Sequence, residues 1–412
     1  MGVDVAGWPP LAAESLTWDP AESYARAGLP APAHLPGPST YEASLPPSIA
    51  DVPVPAPAQM RTAVAAATDA VLALDASTTV DLTALAGALL RSESVASSKI
   101  EQLDATQADV GLAMLRGVPV HAAAAQVAAN VRAMTEAVAR ASRPEPFSLG
   151  DLLAVHGLLL GADPYLGGEA GRLREVQNWV GGSERSPHDA LFVPPAPHRV
   201  AGLMADLVAF CRREDLPPLV LTAIAHAQLE TIHPFTDGNG RTGRALVHVL
   251  LRRGGLATRT VVPVSTVLLA DVGGYFDGLD DYRAGRLEAW VVRFCAATTV
   301  AATAGQRLAL ELADVRHRWV EAARPRRGSV VAALLDALLR QPVIDADVAR
   351  TLVAGVADVA EKNLYRGLDR LEGAGVLREV TGGGRNRVWV AVDVLDLLER
   401  FESRLGRRRG SW

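Results

Sequence analysis

Two helical stretches, LVLTAIAHAQLETI (219–232) and RTGRALVHVLLRR (241–253), are separated only by HPFTDGNG (233–240). The first reads as a buried helix, so the junction sits against a core while carrying a histidine, an acid and glycine-rich backbone. Gly238, Asn239 and Gly240 precede the second helix, whose unpaired amides and dipole favour an anion. Glycines on either side of the asparagine let the backbone form a concave nest of N–H donors. Arg241 and Arg244 are three residues apart on the first turn, hence on one face. Two guanidiniums beside a nest make a clamp for a polyphosphate.

Asp237 is a hard oxygen ligand suited to Mg²⁺ bridging such phosphates. His233 has an ordinary pKa that lets it accept a proton near neutrality. A base, a magnesium ligand and an anion cradle together describe transfer of a phosphate-containing group to a hydroxyl. A zinc site from His226, His233 and Asp237 is the weaker alternative, because no further strong ligand follows at helical spacing.

The chain has 412 residues, 49% apolar and only 5% aromatic, which predicts a mainly helical protein of two or three domains with small core side chains. Its net charge of −5 argues against nucleic-acid binding by the whole surface. Cys211 and Cys295 lie in apolar helical patterns and read as buried thiols rather than a disulfide framework. The start, MGVDVAGWPP, has neither the basic nor the apolar character of a signal peptide. No uninterrupted apolar run reaches about 18 residues. The expectation is a soluble cytoplasmic protein without a membrane span.

Residues 1–58 are proline-rich and predict an extended surface segment, followed by alanine-rich helices with a cap at Thr79 or Asp81. REVQNWV, GGSERSPHD and ALFVPP predict a β-hairpin between Arg174 and Pro195. After ARPRRGS come three helical patterns and VLREVTGGGRNRVWVA, the order of a winged helix-turn-helix. Four segments result: a Pro-rich extension (1–40), an N-terminal helical region (41–142), a catalytic domain (143–325) and a winged helix-turn-helix (326–412).

HPFTDGNGRTGR resembles the signature of the Fic family, His-x-Phe-x-Asp/Glu-Gly-Asn-Gly-Arg-x-x-Arg, at every fixed position. YEASLPPSIADV and ESVASSKIEQLDAT resemble the segment that often precedes Fic domains, GRLREVQNWVGG with FVPPAP its flap, and GGYFDGLDDYRAGRLEAWVVRF its closing helices. The similarity covers about Tyr41 to Leu310. It implies a Fic-type helical bundle with a small β-hairpin flap, and AMP transfer from ATP to a Ser, Thr or Tyr hydroxyl of a target protein or of the chain itself. His233 would be the base and Asp237 would hold Mg²⁺. Gly238, Asn239, Gly240, Arg241, Thr242, Gly243 and Arg244 would bind ATP, with Tyr275 and Phe276 near the adenosine and Phe235 a core anchor. Doc-like kinases of the family carry lysine where this chain has Gly240, so Gly240 favours AMP transfer.

Many relatives also carry an inhibitory helix with Ser/Thr-x-x-x-Glu-Gly/Asn. Ser97 to Glu101 fits, and Glu101 would pair with Arg244, which then cannot hold a γ-phosphate. Gln102 departs from the usual Gly or Asn. The flap would hold an extended target segment, with Val180 at its edge. Family membership is compatible with a homodimer.

Residues 326–412 carry 15 Lys and Arg against 12 Asp and Glu. Lys362, Arg366 and Arg370 form a stripe opposite Leu364, Leu368 and Leu371, while Arg385, Arg387 and the run 407–409 add charge. DNA is the weaker partner for so small a surplus, and protein docking the stronger. Two other functions stay open: a nucleotide-sensing DNA-binding regulator, and removal of AMP from the same target with Glu101 orienting a water.

Overall fold

The computed structural model describes residues 7–26, 28, 30, 32, 34–77, 82–115, 120–183, 185–355, 361–381 and 387–406. Strands β1 (Ala12–Trp18) and β2 (Ser39–Leu45) pair antiparallel, with Ala12 opposite Leu45 and Trp18 opposite Ser39, and helix α1 (Pro20–Arg26) lies between them. The expected extended segment is therefore partly a β-ladder. The prolines all fall outside the two strands, which keep their N–H donors for pairing.

A helical body follows: α2 (Ala58–Asp75), α3 (Leu82–Ile100), α4 (Gln107–Ala113), α5 (Ala122–Ala141), α6 (Leu149–Leu160), α7 (Pro197–Cys211), α8 (Pro218–Ile232), α9 (Asn239–Arg253), α10 (Val264–Ala270), α11 (Val272–Arg283) and α12 (Leu287–Ala323). The cap expected at Thr79 or Asp81 lies outside the described residues. Small side chains let these helices approach closely. α2 packs along the 37-residue α12, where a Cβ on Gly305 would come within 3.1 Å of Leu74. α8 is buried from Leu219 to Ile232 and packs against α9, as its apolar text requires.

α3 carries buried polar residues and so needs partners. Ser94 Oγ donates to Leu90 O and Ser98 Oγ to Ser94 O, while Asn130 of α5 donates to both Ser94 O and Ser98 Oγ. Buried Glu93 accepts from Ser265 N at 2.8 Å and lies 2.9 Å from His248 Nε2. These bonds fix most of α3 against α5, α9 and α10.

The C-terminal part contains α13 (Val330–Leu338), β3 (Val343–Asp345), α14 (Ala346–Leu352), α15 (Glu361–Gly373), β4 (Arg378–Glu379), β5 (Val388–Val390) and α16 (Val392–Gly406). Its strands form an antiparallel sheet in the order β3-β5-β4. Leu364, Leu368 and Leu371 are buried, and Lys362 and Arg366 are exposed. Two expected phosphate contacts are already engaged. Arg370 donates to the carbonyls of Ala323 and Arg324, where α12 ends. Arg387 pairs with Asp369, Glu372 and Glu379 and lies over the Trp389 ring. Arg385, the glycine turn 382–384 and residues 407–409 lie outside the described residues. Among the described residues no helix is long and apolar enough to cross a membrane.

Candidate functional site

α8 stops at His233, whose φ of 50° and ψ of 58° are left-handed, a conformation that disfavours a non-glycine residue by about 1 kcal/mol or more. Buried Arg174 holds it there. Its Nε donates to His233 O at 2.8 Å, its Nη1 to Val176 O at 3.0 Å, and its Nη2 to Pro195 O at 2.6 Å. The His233 ring places Nδ1 3.3 Å from the Glu230 carbonyl, which only an N–H can satisfy. Nε2 then carries the lone pair. Burial lowers the His233 pKa from 6.5 to about 4, with the Glu230 carbonyl opposing the shift and Arg174 adding to it. The imidazole is neutral at physiological pH, as a base must be.

The loop after His233 is braced from inside. Phe235 is fully buried and stacks on His156 at 3.9 Å between centroids. The Asn239 side chain accepts from Phe235 N at 2.8 Å and donates to Phe235 O at 2.7 Å. His156 Nδ1 accepts from Gly171 N, leaving Nε2–H to donate to Asp237 O at 3.0 Å. Gly238 begins α9 at φ 76°, and a Cβ there would strike Leu159 at 2.8 Å. His156 and Arg174 were not anticipated as part of the site. His156 is a lone polar residue in LLAVHGLLL, and Arg174 is one of two arginines in GRLREV, a stretch read as flap without a role for either.

The two signature arginines are in different conditions. Arg241 is 3% exposed and donates through Nη2 to Asp237 Oδ2 at 2.9 Å, yet its Nε and Nη1 are buried without a partner. Such donors cost roughly 1–3 kcal/mol unless a ligand satisfies them. Arg244 is engaged: Nε donates to Ser97 Oγ at 2.8 Å, and Nη2 to Ser97 O at 2.8 Å and to Glu101 Oε1 at 2.7 Å. A Cβ on Gly240 would lie 1.9 Å from Glu101 Oε1, so the carboxylate rests on the first turn of α9. Burial would raise the Glu101 pKa, but the charge and hydrogen bond of Arg244, joined by Arg241 and His233, hold it below the usual range.

α3 ends just before Glu101 with Leu103 N donating to Ser98 O at 3.0 Å and Gln102 at φ 62°. That is a C-terminal cap position that favours glycine. Gln102→Gly is therefore expected to stabilise the folded chain by about 1 kcal/mol, the strain of a non-glycine residue at positive φ. Denaturant melts of the two chains at equal concentration check this.

Tyr275 is 2% exposed, its hydroxyl 3.0 Å from His226 Nε2, whereas Phe276 is 48% exposed. The expected flap hairpin is reduced to one bridge, Val180 with Phe192. Pro194 and Pro195 cannot donate to a longer ladder, and side chains anchor the segment instead. Gln177 donates to Pro194 O and Asn178 to Phe235 O. Among the described residues no three His, Cys, Asp or Glu cluster as a metal cage. Asp237, with its side chain 49% exposed, fits the single carboxylate by which Mg²⁺ is held jointly with phosphates.

Residues 146–251 match the profile of the Fic/DOC family. The protein adenylyltransferase fic-1 of Caenorhabditis briggsae is 39% identical over 123 residues, 29% of this chain and 22% of that protein. The protein adenylyltransferase Fic of Nematostella vectensis is 33% identical over 161 residues, 38% of this chain and 33% of that protein. The chain thus spans only 22% to 33% of these curated relatives. A Fic family protein from Desulfovibrio desulfuricans G20 has a similar fold, with a TM-score of 0.52 and 22% identity over 82% of this chain and 97% of that one.

Proposed function

We propose, from the premise that this chain carries a Fic domain over residues 146–251, that it transfers AMP from ATP to a Ser, Thr or Tyr hydroxyl of a target protein and rests in an inhibited state. The observation that carries the reading is Arg241, buried with two donors that lack partners beside the N-terminus of α9. Phosphate oxygens satisfy such donors, and Asn239 and Gly240 supply the first-turn amides of the same helix.

His233 Nε2 takes the proton of the target hydroxyl, whose oxygen attacks the α-phosphorus. A phosphodiester forms, the bond to the bridging oxygen breaks, and pyrophosphate leaves. Mg²⁺ at Asp237 would supply charge to the phosphates. Arg241 and, once free, Arg244 orient the β- and γ-phosphates so that the α-phosphorus faces the base. Exposed Phe276 is better placed than buried Tyr275 to meet the adenosine.

Gly240 supports AMP transfer through the resemblance, in which lysine at this place marks the kinases, and the resting pose separately requires glycine. Any side chain there collides with Glu101 in the resting pose, so this contact and a lysine at 240 exclude one another. Engagement of Arg370 and Arg387 within the protein also disfavours a DNA-binding regulator.

Incubation with Mg²⁺, cell lysate and ATP labelled at either the α- or the γ-position tests the reading. Protein label from α-labelled ATP alone is the expected result. Label from γ-labelled ATP alone would make the chain a kinase. ATP binding without label, and loss of AMP from a labelled target, would make it an AMP-removing enzyme.

A further inference from the structure

Besides packing against α5 through Leu103 and Ala105, the segment carrying Glu101 is anchored by polar contacts to two other elements, and Arg244 supplies only one of them. Glu402, on α16 near the C-terminus, supplies the other. Its side chain is only 12% exposed, its Oε2 lies 3.4 Å from Lys99 Nζ, and its Oε1 accepts from Gln107 Nε2. Lys99 sits in the last turn of α3 and Gln107 is the first residue of α4. One carboxylate from the C-terminal part therefore bridges both sides of the 101–106 loop.

Apolar contacts repeat the connection. Leu115, Val343, Val388, Val390 and Leu395 share a core with Ala108 and Leu112, joining α4 to β3, β5 and α16. A Cβ on Gly111 of α4 would lie 2.2 Å from Val343, so helix and strand touch with nothing between them. α16 is tied to the body separately, through Arg404 to Glu311 and through Asp393, which accepts from Trp319 Nε1 at 2.8 Å. The α3 bonds from Asn130 and Glu93 end by Ser98. Beyond that point Leu103 and Ala105 pack against α5, and the polar contacts of the Glu101 loop to other elements come from Arg244 and from Glu402.

We infer that α16, through Glu402 and the shared core with α4, clamps the loop that carries Glu101, so that the C-terminal part sets how tightly Arg244 is held. The inference rests on the reading of Glu101 as an inhibitor of AMP transfer and names its regulator within the chain. Its physical content is linkage: the same loop position satisfies both contacts, so loss of one raises the population in which the other is open. A partner that docks on the C-terminal part and draws α16 away from α4 releases Arg244 by the same route.

The test uses the full chain and Glu402→Ala, Glu402→Gln and Lys99→Ala, none of which touches the catalytic groups. Amide hydrogen exchange over residues 101–106 and incorporation of α-label are measured together, with thermal melting as the check on folding. The expected result in Glu402→Ala and Lys99→Ala is about tenfold faster exchange and about tenfold more label, the scale of one lost hydrogen bond to a charged group. Glu402→Gln retains size and hydrogen bonding and should shift both less. In a Glu101→Gly background Glu402→Ala should add no label, because the contact it supports is already gone.

Unchanged exchange in folded Glu402→Ala and Lys99→Ala would overturn the clamp, as would a full tenfold gain of label on top of Glu101→Gly. Should Glu101→Gly transfer no AMP at all, the proposed function fails, and exchange alone still decides whether α16 holds the loop.

Discussion

Glu101→Gly is expected to transfer AMP on the order of 10- to 100-fold faster than the wild-type chain under identical conditions. Its carboxylate accepts from Arg244 Nη2 at 2.7 Å and sits over Gly240. With Arg244 only 2% exposed at its side chain, no second anion reaches that guanidinium while the pair persists. The Glu101 side chain is 37% exposed, so solvent weakens the pair and the lower end of the range applies. A rate equal to wild type would remove Glu101 from any inhibitory role.

His233→Ala is expected to lower transfer in the Glu101→Gly background by about a thousandfold, within the range for loss of a positioned general base. ATP affinity should change little, because His233 faces the hydroxyl rather than the phosphates. The pH dependence follows from the sign of its shift. A folded-state pKa near 4 keeps Nε2 unprotonated well below 6.5, so the rate should stay level as pH falls through 6.5 and decline only toward 4–5. Stability falls in the same direction but from a higher pH. His233 near 4 and His226 near 3 are buried in neutral form, so the stability they contribute is complete above pH 6.5 and lost as pH falls toward those values. An acid limb centred at 6.5 in a folded chain would contradict the environment described for His233.

The legible part of the site is contiguous. His233 to Arg244 spans one loop and the first turn of a helix, so spacing alone brings its chemistry together. Arg244 and Glu101 are 143 residues apart, and only the resemblance of the SSKIEQ segment joined them before the fold did. Arg174 and His156 escaped because each reaches the site across the fold, to His233 O and Asp237 O, and neither partner lies near it in sequence. Periodicity placed Arg370 on an exposed stripe and the glycine-tipped hairpin placed Arg387 on the wing, without revealing the partners of either on α12, α15 and β4. The β1–β2 ladder was hidden because its register depends on distant residues, Trp18 with Ser39 being its nearest pair in sequence and Ala12 with Leu45 its farthest. In the flap the reverse happened: the strand pattern was present, and prolines limited the pairing.

The central claim is that Arg244 serves either Glu101 or the γ-phosphate. The most direct measurement is a crystal structure of the Glu101→Gly chain with Mg²⁺ and a non-hydrolysable ATP analogue. The account predicts phosphate oxygens within hydrogen-bond distance of Arg244 and of the Nε and Nη1 of Arg241, with the α-phosphorus facing His233. Phosphates that leave both arginines untouched, or an α-phosphorus turned away from His233, would contradict it.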